Sequence, residues 1–253
     1  VAPGTKTIAA HAFESCDDIS CIAIPKSVTN IGDEAFFSCF DLRDINVDAD
    51  NAYYCSDNGI LYNKEKTEII RLPKKKPVTL FIIPDGVTSI ADGAFSDCQN
   101  LIRIIIPNSV ESIGNDAFNG CGGLTSIAIP DSVQSIGNSA FLECSKLTSI
   151  TIPDGVQSIG EKTFYKCSSL ESITIPNSVM SIGAGAFEYC RRFNTVYYIG
   201  EENDGNEILT TYPLLYKTIY YCSGINAKRS DNGIIVTPLN IASGKTVILA
   251  LYG

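Results

Sequence analysis

The apolar positions of this chain return in one fixed order. In LTSIAIPDSVQSIGNSAFLECSK, residues 124–146, Leu124, Ile127 and Ile129 point inward from a short strand whose other positions are small and polar. Pro130 ends that strand because it cannot donate to a ladder. Val133 and Ile136 then bury a second, shorter extended segment, and Gly137 permits the corner that follows. In NSAFLEC, Ala140, Phe141 and Cys144 share one face of a predicted helix of one to two turns.

The same order recurs along the chain. The aromatic position appears as Ala12-Phe13, Ala35-Phe36, Ala94-Phe95, Ala117-Phe118, Ala140-Phe141, Thr163-Phe164 and Ala186-Phe187. A cysteine follows four residues after the first member of each pair, at Cys16, Cys39, Cys98, Cys121, Cys144, Cys167 and Cys190. Every step is 23 residues except one of 59, between Phe36 and Phe95. One such unit cannot bury its own apolar face, so the units must stack into a solenoid with a continuous core.

The unit IP-x-[SG]-V-x-S-I-G-x-x-[AT]-F-x-x-C-x-x-L resembles the BspA-like leucine-rich-repeat family over about residues 1–223. The resemblance implies an α/β solenoid, a right-handed superhelix of about eight repeats with a parallel sheet on one face and short helices on the other. Within residues 48–77, DADNAYYCSDNGILYNKEKTEIIRLP resembles the hairpin insertion of that family, and Asn58-Gly59 is the expected two-residue turn. Residues 194–223 resemble its C-terminal cap, with strands around Val196-Tyr197-Tyr198 and Ile219-Tyr220-Tyr221, although the usual tryptophan is missing from the loop between them. In the tail, 224–253, Gly233 to Pro238 and Lys245 to Tyr252 read as strands with Asn232-Gly233 as a turn. The run TVILALYG resembles the opening strands of an immunoglobulin-like domain, so the chain reads as cut inside one.

Composition narrows the function. An apolar fraction of 45% supplies a core, and a net charge of −9 argues against a nucleic-acid or anionic-membrane surface. The one basic run, Lys74, Lys75 and Lys76 between Pro73 and Pro77, reads as a solvated loop. No apolar run approaches the roughly 18 residues of a membrane-spanning helix. With no initiator Met and no signal peptide, the chain reads as a fragment or mature form from which targeting information has been removed.

The residue types for catalysis are sparse. Seven of the ten cysteines share one inward repeat position and read as buried free thiols, leaving Cys21, Cys55 and Cys222 as candidates for pairing or reactivity. There is no C-x-x-C pair and only one histidine, His11, which reads as a surface residue. Asp48, Asp50 and Asn51 read as turn formers in place of a calcium loop, and Asp85, Asp131 and Asp154 as turn residues in place of glycosidase acids. Ser243-Gly244-Lys245-Thr246 fails as a phosphate loop because Leu239 stands where its earlier glycine belongs. No cofactor, metal or enzymatic activity is expected.

Function then rests on the outward strand positions, which a partner would meet. Most are small and polar, such as Ser126, Ala128, Ser149, Thr151, Ser172 and Thr174. Leu80 and Ile82, then Ile102, Arg103 and Ile105, break that pattern with large side chains, the signature of an interaction surface unless the 48–77 insertion covers them. Tyr197 and Tyr220 are expected to be neighbours on the same face, as interface anchors or as ordinary cap packing. The resemblance implies a monomeric, secreted or surface-exposed bacterial protein that adheres to host matrix proteins or to other cells. An inert spacer is the competing reading, and a glycan-degrading enzyme a distant third.

Overall fold

The computed structural model describes residues 1–37, 39–200, 218–221, 225–230 and 233–238. Its organising element is a row of strands: Cys21–Ile24, Asp44–Val47, Leu80–Ile82, Arg103–Ile105, Ser126–Ala128, Ser149–Thr151, Ser172–Pro176, Thr195–Ile199 and Thr218–Tyr221. Each belongs to one of about nine turns of a parallel β-solenoid. The row comprises three hydrogen-bonded sheets, and within each of them neighbours pair parallel and without slippage, so Arg103 lies opposite both Leu80 and Ser126, and Thr174 opposite both Thr151 and Tyr197. A second row consists of two-residue strands such as Ser112–Ile113 and Ser135–Ile136, also in register. One register holds throughout because inward Ile and Phe side chains would reach solvent after a one-residue slip.

The expected helices are absent among the described residues, where the Ala-Phe-x-x-Cys segment forms a chain of turns. The reason is visible in the backbone. Ser139 and Glu143 both sit at positive φ, 55° and 57°, as do Glu34 and Asp116 in the first of these places and Asp97 and Lys166 in the second. Two left-handed residues four apart cannot belong to an α-helix. The hydrogen bonds show what is gained. Ser139, Phe141 and Glu143 donate to Glu161, Thr163 and Tyr165 of the next turn at 2.8, 2.9 and 2.8 Å, while Leu142 and Cys144 donate within their own turn. Alternate N–H groups thus point along the solenoid axis, and a helix would turn them all inward. The fold is all-β among the described residues, not α/β.

The core is a set of ladders. Phe95, Phe118, Phe141, Phe164 and Phe187 stack with centroids 5.1, 5.3, 5.6 and 5.4 Å apart. Beside them the cysteines form a second ladder. The thiols of Cys121, Cys144, Cys167 and Cys190 donate to the carbonyls of Phe95, Phe118, Phe141 and Phe164 at 3.1, 3.2, 3.0 and 2.9 Å. All nine described cysteines are free thiols, and six of the seven ladder positions are buried, Cys16 in the first turn being half-buried. Cys21 is exposed, Cys55 is half-buried, and Cys222 lies outside the described residues.

The 59-residue step holds one long turn and one normal one, with 36 residues separating the inward Ile45 and Phe81. Tyr54–Asp57 and Ile60–Asn63 form an antiparallel hairpin through Asn58 and Gly59, both at positive φ. The strand Glu68–Arg71 then takes the short-strand place of this turn, pairing parallel with Ser89–Ile90. The hairpin segment therefore closes a turn of its own, which brings the array to about nine turns in place of the expected eight. Its strand Ile60–Asn63 joins two cores: Leu61 packs with the first turns, Ile60 and Tyr62 with the later ones.

The long turn also corrects the reading of the lysine triplet. Lys74 is buried, its Nζ 2.9 Å from Asp97 and 3.2 Å from the centre of the Phe40 ring. Lys76 pairs with Asp44 at 2.8 Å and Lys75 with Asp41 at 3.5 Å. The run is a set of inter-turn ties, because its register brings a carboxylate to each lysine. Beyond the array, Ile225–Ser230 and Gly233–Pro238 pair antiparallel. The cap loop, and the run Lys245 to Tyr252 on which the immunoglobulin-like reading rests, lie outside the described residues.

Candidate functional site

Strand alternation places Phe81 and Ile104 in the core and turns Leu80, Ile82, Arg103 and Ile105 to solvent. Leu80 is 49% exposed, Ile82 60%, Ile102 48% and Ile105 41%, so the hairpin leaves them open. It cannot reach them, since it extends the sheet of short strands. Parallel register sets Ile82 beside Ile105 and Leu80 beside Arg103, joining the two irregular strands into one apolar cluster with one cation. The two-strand cluster is flanked on its C-terminal side by Ser126 and Ala128.

The tyrosines occupy the far end of the same row. Ile82, Ile105 and Ala128 are directly paired, as are Thr151, Thr174, Tyr197 and Tyr220. Strands about 4.8 Å apart separate Ile105 from Tyr197 by roughly 19 Å. Tyr197 and Tyr220 stack with centroids 5.5 Å apart and planes 22° apart, and both are half-buried. The structure therefore brings five candidate residues into one cluster and the two tyrosines into another.

Sequence reasoning missed several exposed apolar side chains, among them Met180 at 70% and Tyr189 at 60% exposure. It also missed two buried polar hubs. Asn51 donates to the Pro25 and Val28 carbonyls at 3.0 and 2.9 Å and accepts from Tyr53 and Tyr54 N–H at 2.8 and 2.9 Å. Arg71 is buried and donates to the carbonyls of Gly93 and Ser96. In a regular turn, the Asp97 N–H makes the second of those bonds to Asn119. In the long turn no backbone N–H among the described residues makes that bond to Ser96, and the guanidinium makes it instead. The only signal was a charged residue at the position occupied elsewhere by Ala of the Ala-Phe pair.

Among the described residues, catalytic groups do not converge on the strand face. His11 is half exposed, 3.4 Å from Glu14 and 3.6 Å from Glu34. Burial pushes the Cys98 thiol up to about 12 and the Cys121 and Cys144 thiols well above their ordinary value, which leaves them unreactive near neutrality. A cleft of about 530 Å³ beside the long turn is lined by Glu34, Glu68, Asp92 and Arg71, among others. Burial raises Glu68 there, opposed by a hydrogen bond with Ser89. Asp48 and Asp50 form a local turn, the Asp50 N–H reaching Asp48 Oδ1 at 3.0 Å. Among the described residues no three acidic, histidine or cysteine side chains gather as a metal site.

Comparison with known proteins agrees with this architecture. The profile of the BspA type leucine rich repeat region matches residues 2–77 and 74–194, in six copies. A leucine rich cell surface protein from Faecalibacterium prausnitzii A2-165 is 35% identical with a TM-score of 0.75, over 81% of this chain and 54% of that one. A leucine-rich repeat protein from Eubacterium ventriosum ATCC 27560 is 31% identical with a TM-score of 0.74, over 78% of this chain and 53% of that one. The pneumococcal vaccine antigen PcpA, 23% identical with a TM-score of 0.75 over 87% of this chain and 55% of that one, shares the fold. The chain spans about half the length of these structures. No curated protein matches it. The chain belongs to the family of BspA type leucine-rich-repeat proteins.

Proposed function

We propose that this chain is a non-catalytic protein-interaction module of a bacterial cell-surface protein, and that its partner docks on Leu80, Ile82, Ile102, Arg103 and Ile105. The observation that carries the proposal is the exposure of four large apolar side chains, Leu80, Ile82 and Ile105 on paired strands with Ile102 beside them, where the next three strands carry Ser, Thr and Ala. A contiguous apolar cluster costs solubility and is retained where it is covered in use. An inert spacer would need no such break in its pattern. Arg103 adds a charge whose pairing selects among partners. Adhesion to a host matrix or surface protein is the biological role that fits a cell-surface repeat protein.

The test is capture of purified host matrix proteins and mucins by the immobilised chain. Parent protein should retain at least one of them, and an Ile102→Asp/Ile105→Asp variant should retain none while melting at an unchanged temperature. Equal capture by the variant would move the site elsewhere.

A further inference from the structure

A second surface, at the corner between the turn wall and the strand face, has a different character. Residues 120–123, Gly-Cys-Gly-Gly, stand where the next turn has Glu143, Cys144, Ser145 and Lys146. Losing three side chains there opens a cleft of about 700 Å³ that reaches to Tyr189 and Arg191. Two of the glycines have backbone reasons. Gly120 sits at φ +71°, and a Cβ on Gly123 would lie 2.2 Å from the Gln99 carbonyl oxygen. Gly122 has neither constraint, since its Cβ would meet the Ser145 hydroxyl at 3.3 Å and the Gly120 carbonyl oxygen at an ordinary 3.9 Å. Its missing side chain serves the opening itself.

Tyr189 forms the far wall. It holds a left-handed backbone, φ 60°, at a place where glycine or a small polar residue costs less. Tyr165 braces its ring edge-on, 5.2 Å away at 77°. An aromatic ring braced in this way and 60% exposed at the lip of a cleft is a flat apolar platform facing solvent. The charges in the cleft are also unbalanced. Lys74 neutralises Asp97 at 2.9 Å, and Lys166 neutralises Glu143 at 2.7 Å. Lys146 and Arg191 have no ion pair among the described residues, in a chain of net charge −9.

We infer that this cleft is a binding site for an acidic oligosaccharide. The polarised C–H face of a pyranose ring meets the negative π face of Tyr189. Its hydroxyls find Gln99, Ser145 and Ser168, and its carboxylates find Arg191 and Lys146. Successive turns are about 4.8 Å apart, so Gly122 and Arg191 are separated by roughly 14 Å, the reach of a few linked sugar rings. An acidic peptide fits less well. The corner backbone is already committed, Gly120 N–H to Leu142 at 2.8 Å and Gly122 N–H to Gly120 at 2.7 Å, leaving no edge for an added strand. The cleft also lacks an apolar pocket for a side-chain anchor.

Calorimetric titration with tetragalacturonate, cellotetraose and a hexaglutamate peptide tests this independently of the strand face. Tetragalacturonate should bind and cellotetraose should bind at least about tenfold more weakly, the charge-assisted contacts being absent. Tyr189→Ala, and separately Lys146→Ala/Arg191→Ala, should each weaken tetragalacturonate about tenfold, while Tyr189→Phe keeps the platform and the affinity. An unchanged melting temperature certifies each variant as folded. The inference is overturned if tetragalacturonate shows no heat at millimolar concentration, or if Tyr189→Ala binds it as the parent does. Equal binding of cellotetraose removes the acidic requirement, and tighter binding of hexaglutamate replaces the saccharide with a peptide.

Discussion

The regular turns between residues 84 and 190 and the long turn between 45 and 81 solve the same problem with opposite chemistry. A regular turn closes with small and aromatic residues: Ala and Phe fill the core, a cysteine thiol caps the carbonyl of the preceding Phe, and alternate N–H groups bond the next turn. The long turn keeps only part of that wall: Leu72 stands in the Phe place and donates its N–H to the Ala94 carbonyl at 2.8 Å. It closes with Arg71 on the carbonyls of Gly93 and Ser96, Lys74 between Asp97 and Phe40, and Asn51 with both ends of its amide bonded. Its hairpin strand faces two cores at once. Regular turns are interchangeable, whereas the long turn fixes a unique place along the array. The apolar cluster begins on the very next strand, so the break in the core pattern and the break in the surface pattern coincide.

This contrast is sharpest where the ladder is broken in its middle. Phe118→Ala should destabilise the chain by about 3–5 kcal/mol, since the ring is fully buried between two stacked neighbours. A urea titration followed by circular dichroism measures it. Arg71→Ala should cost less, about 1–3 kcal/mol, through the Ser96 carbonyl left without its N–H donor. Hydrogen exchange should then rise locally, over residues 89–98, because the damage sits at one seam.

The thiol ladder gives a pH signature. The folded pKa of Cys98 is raised to about 12 from an ordinary 9.0, and burial raises Cys121 and Cys144 as well. For a group raised on folding, the stability is complete below the unfolded value and is lost as pH climbs through the folded one. The urea midpoint should therefore hold below about pH 9 and fall steadily above it in the presence of a reductant. Replacing Cys121 and Cys144 by Ala should flatten that fall. Each such substitution should cost about 1 kcal/mol at neutral pH through the lost thiol hydrogen bond.

The sequence reveals the regular turns far better than the long one. The inward Ile, Phe and Cys positions, the outward Ser and Thr positions and the register all follow from spacing. The wall was misread because Ala140, Phe141 and Cys144 share a helical spacing as well as a turn spacing. Gly93 and Gly185 in the place of Ser139, and Gly120 in the place of Glu143, were the signal for left-handed backbone. The lysine triplet was illegible for another reason. A charge run reads as solvated until the register brings Asp97, Asp41 and Asp44 to it, and no local pattern carries that information. The exposed cluster at 80–82 and 102–105 was legible as a break in alternation, but its exposure depended on where the hairpin pairs. Tyr189 was hidden in a position that varies from turn to turn.

The smallest structural effect carries the largest functional one. Ile102→Asp/Ile105→Asp should shift stability by less than about 0.5 kcal/mol, as should the equivalent Thr148→Asp/Thr151→Asp pair two turns on. The deciding measurement is surface binding of both variants and the parent to whichever purified matrix protein or mucin the parent captures. The first pair should abolish binding and the second should leave it within about twofold. Equal loss in both, or no loss in the first, would place the docking site elsewhere.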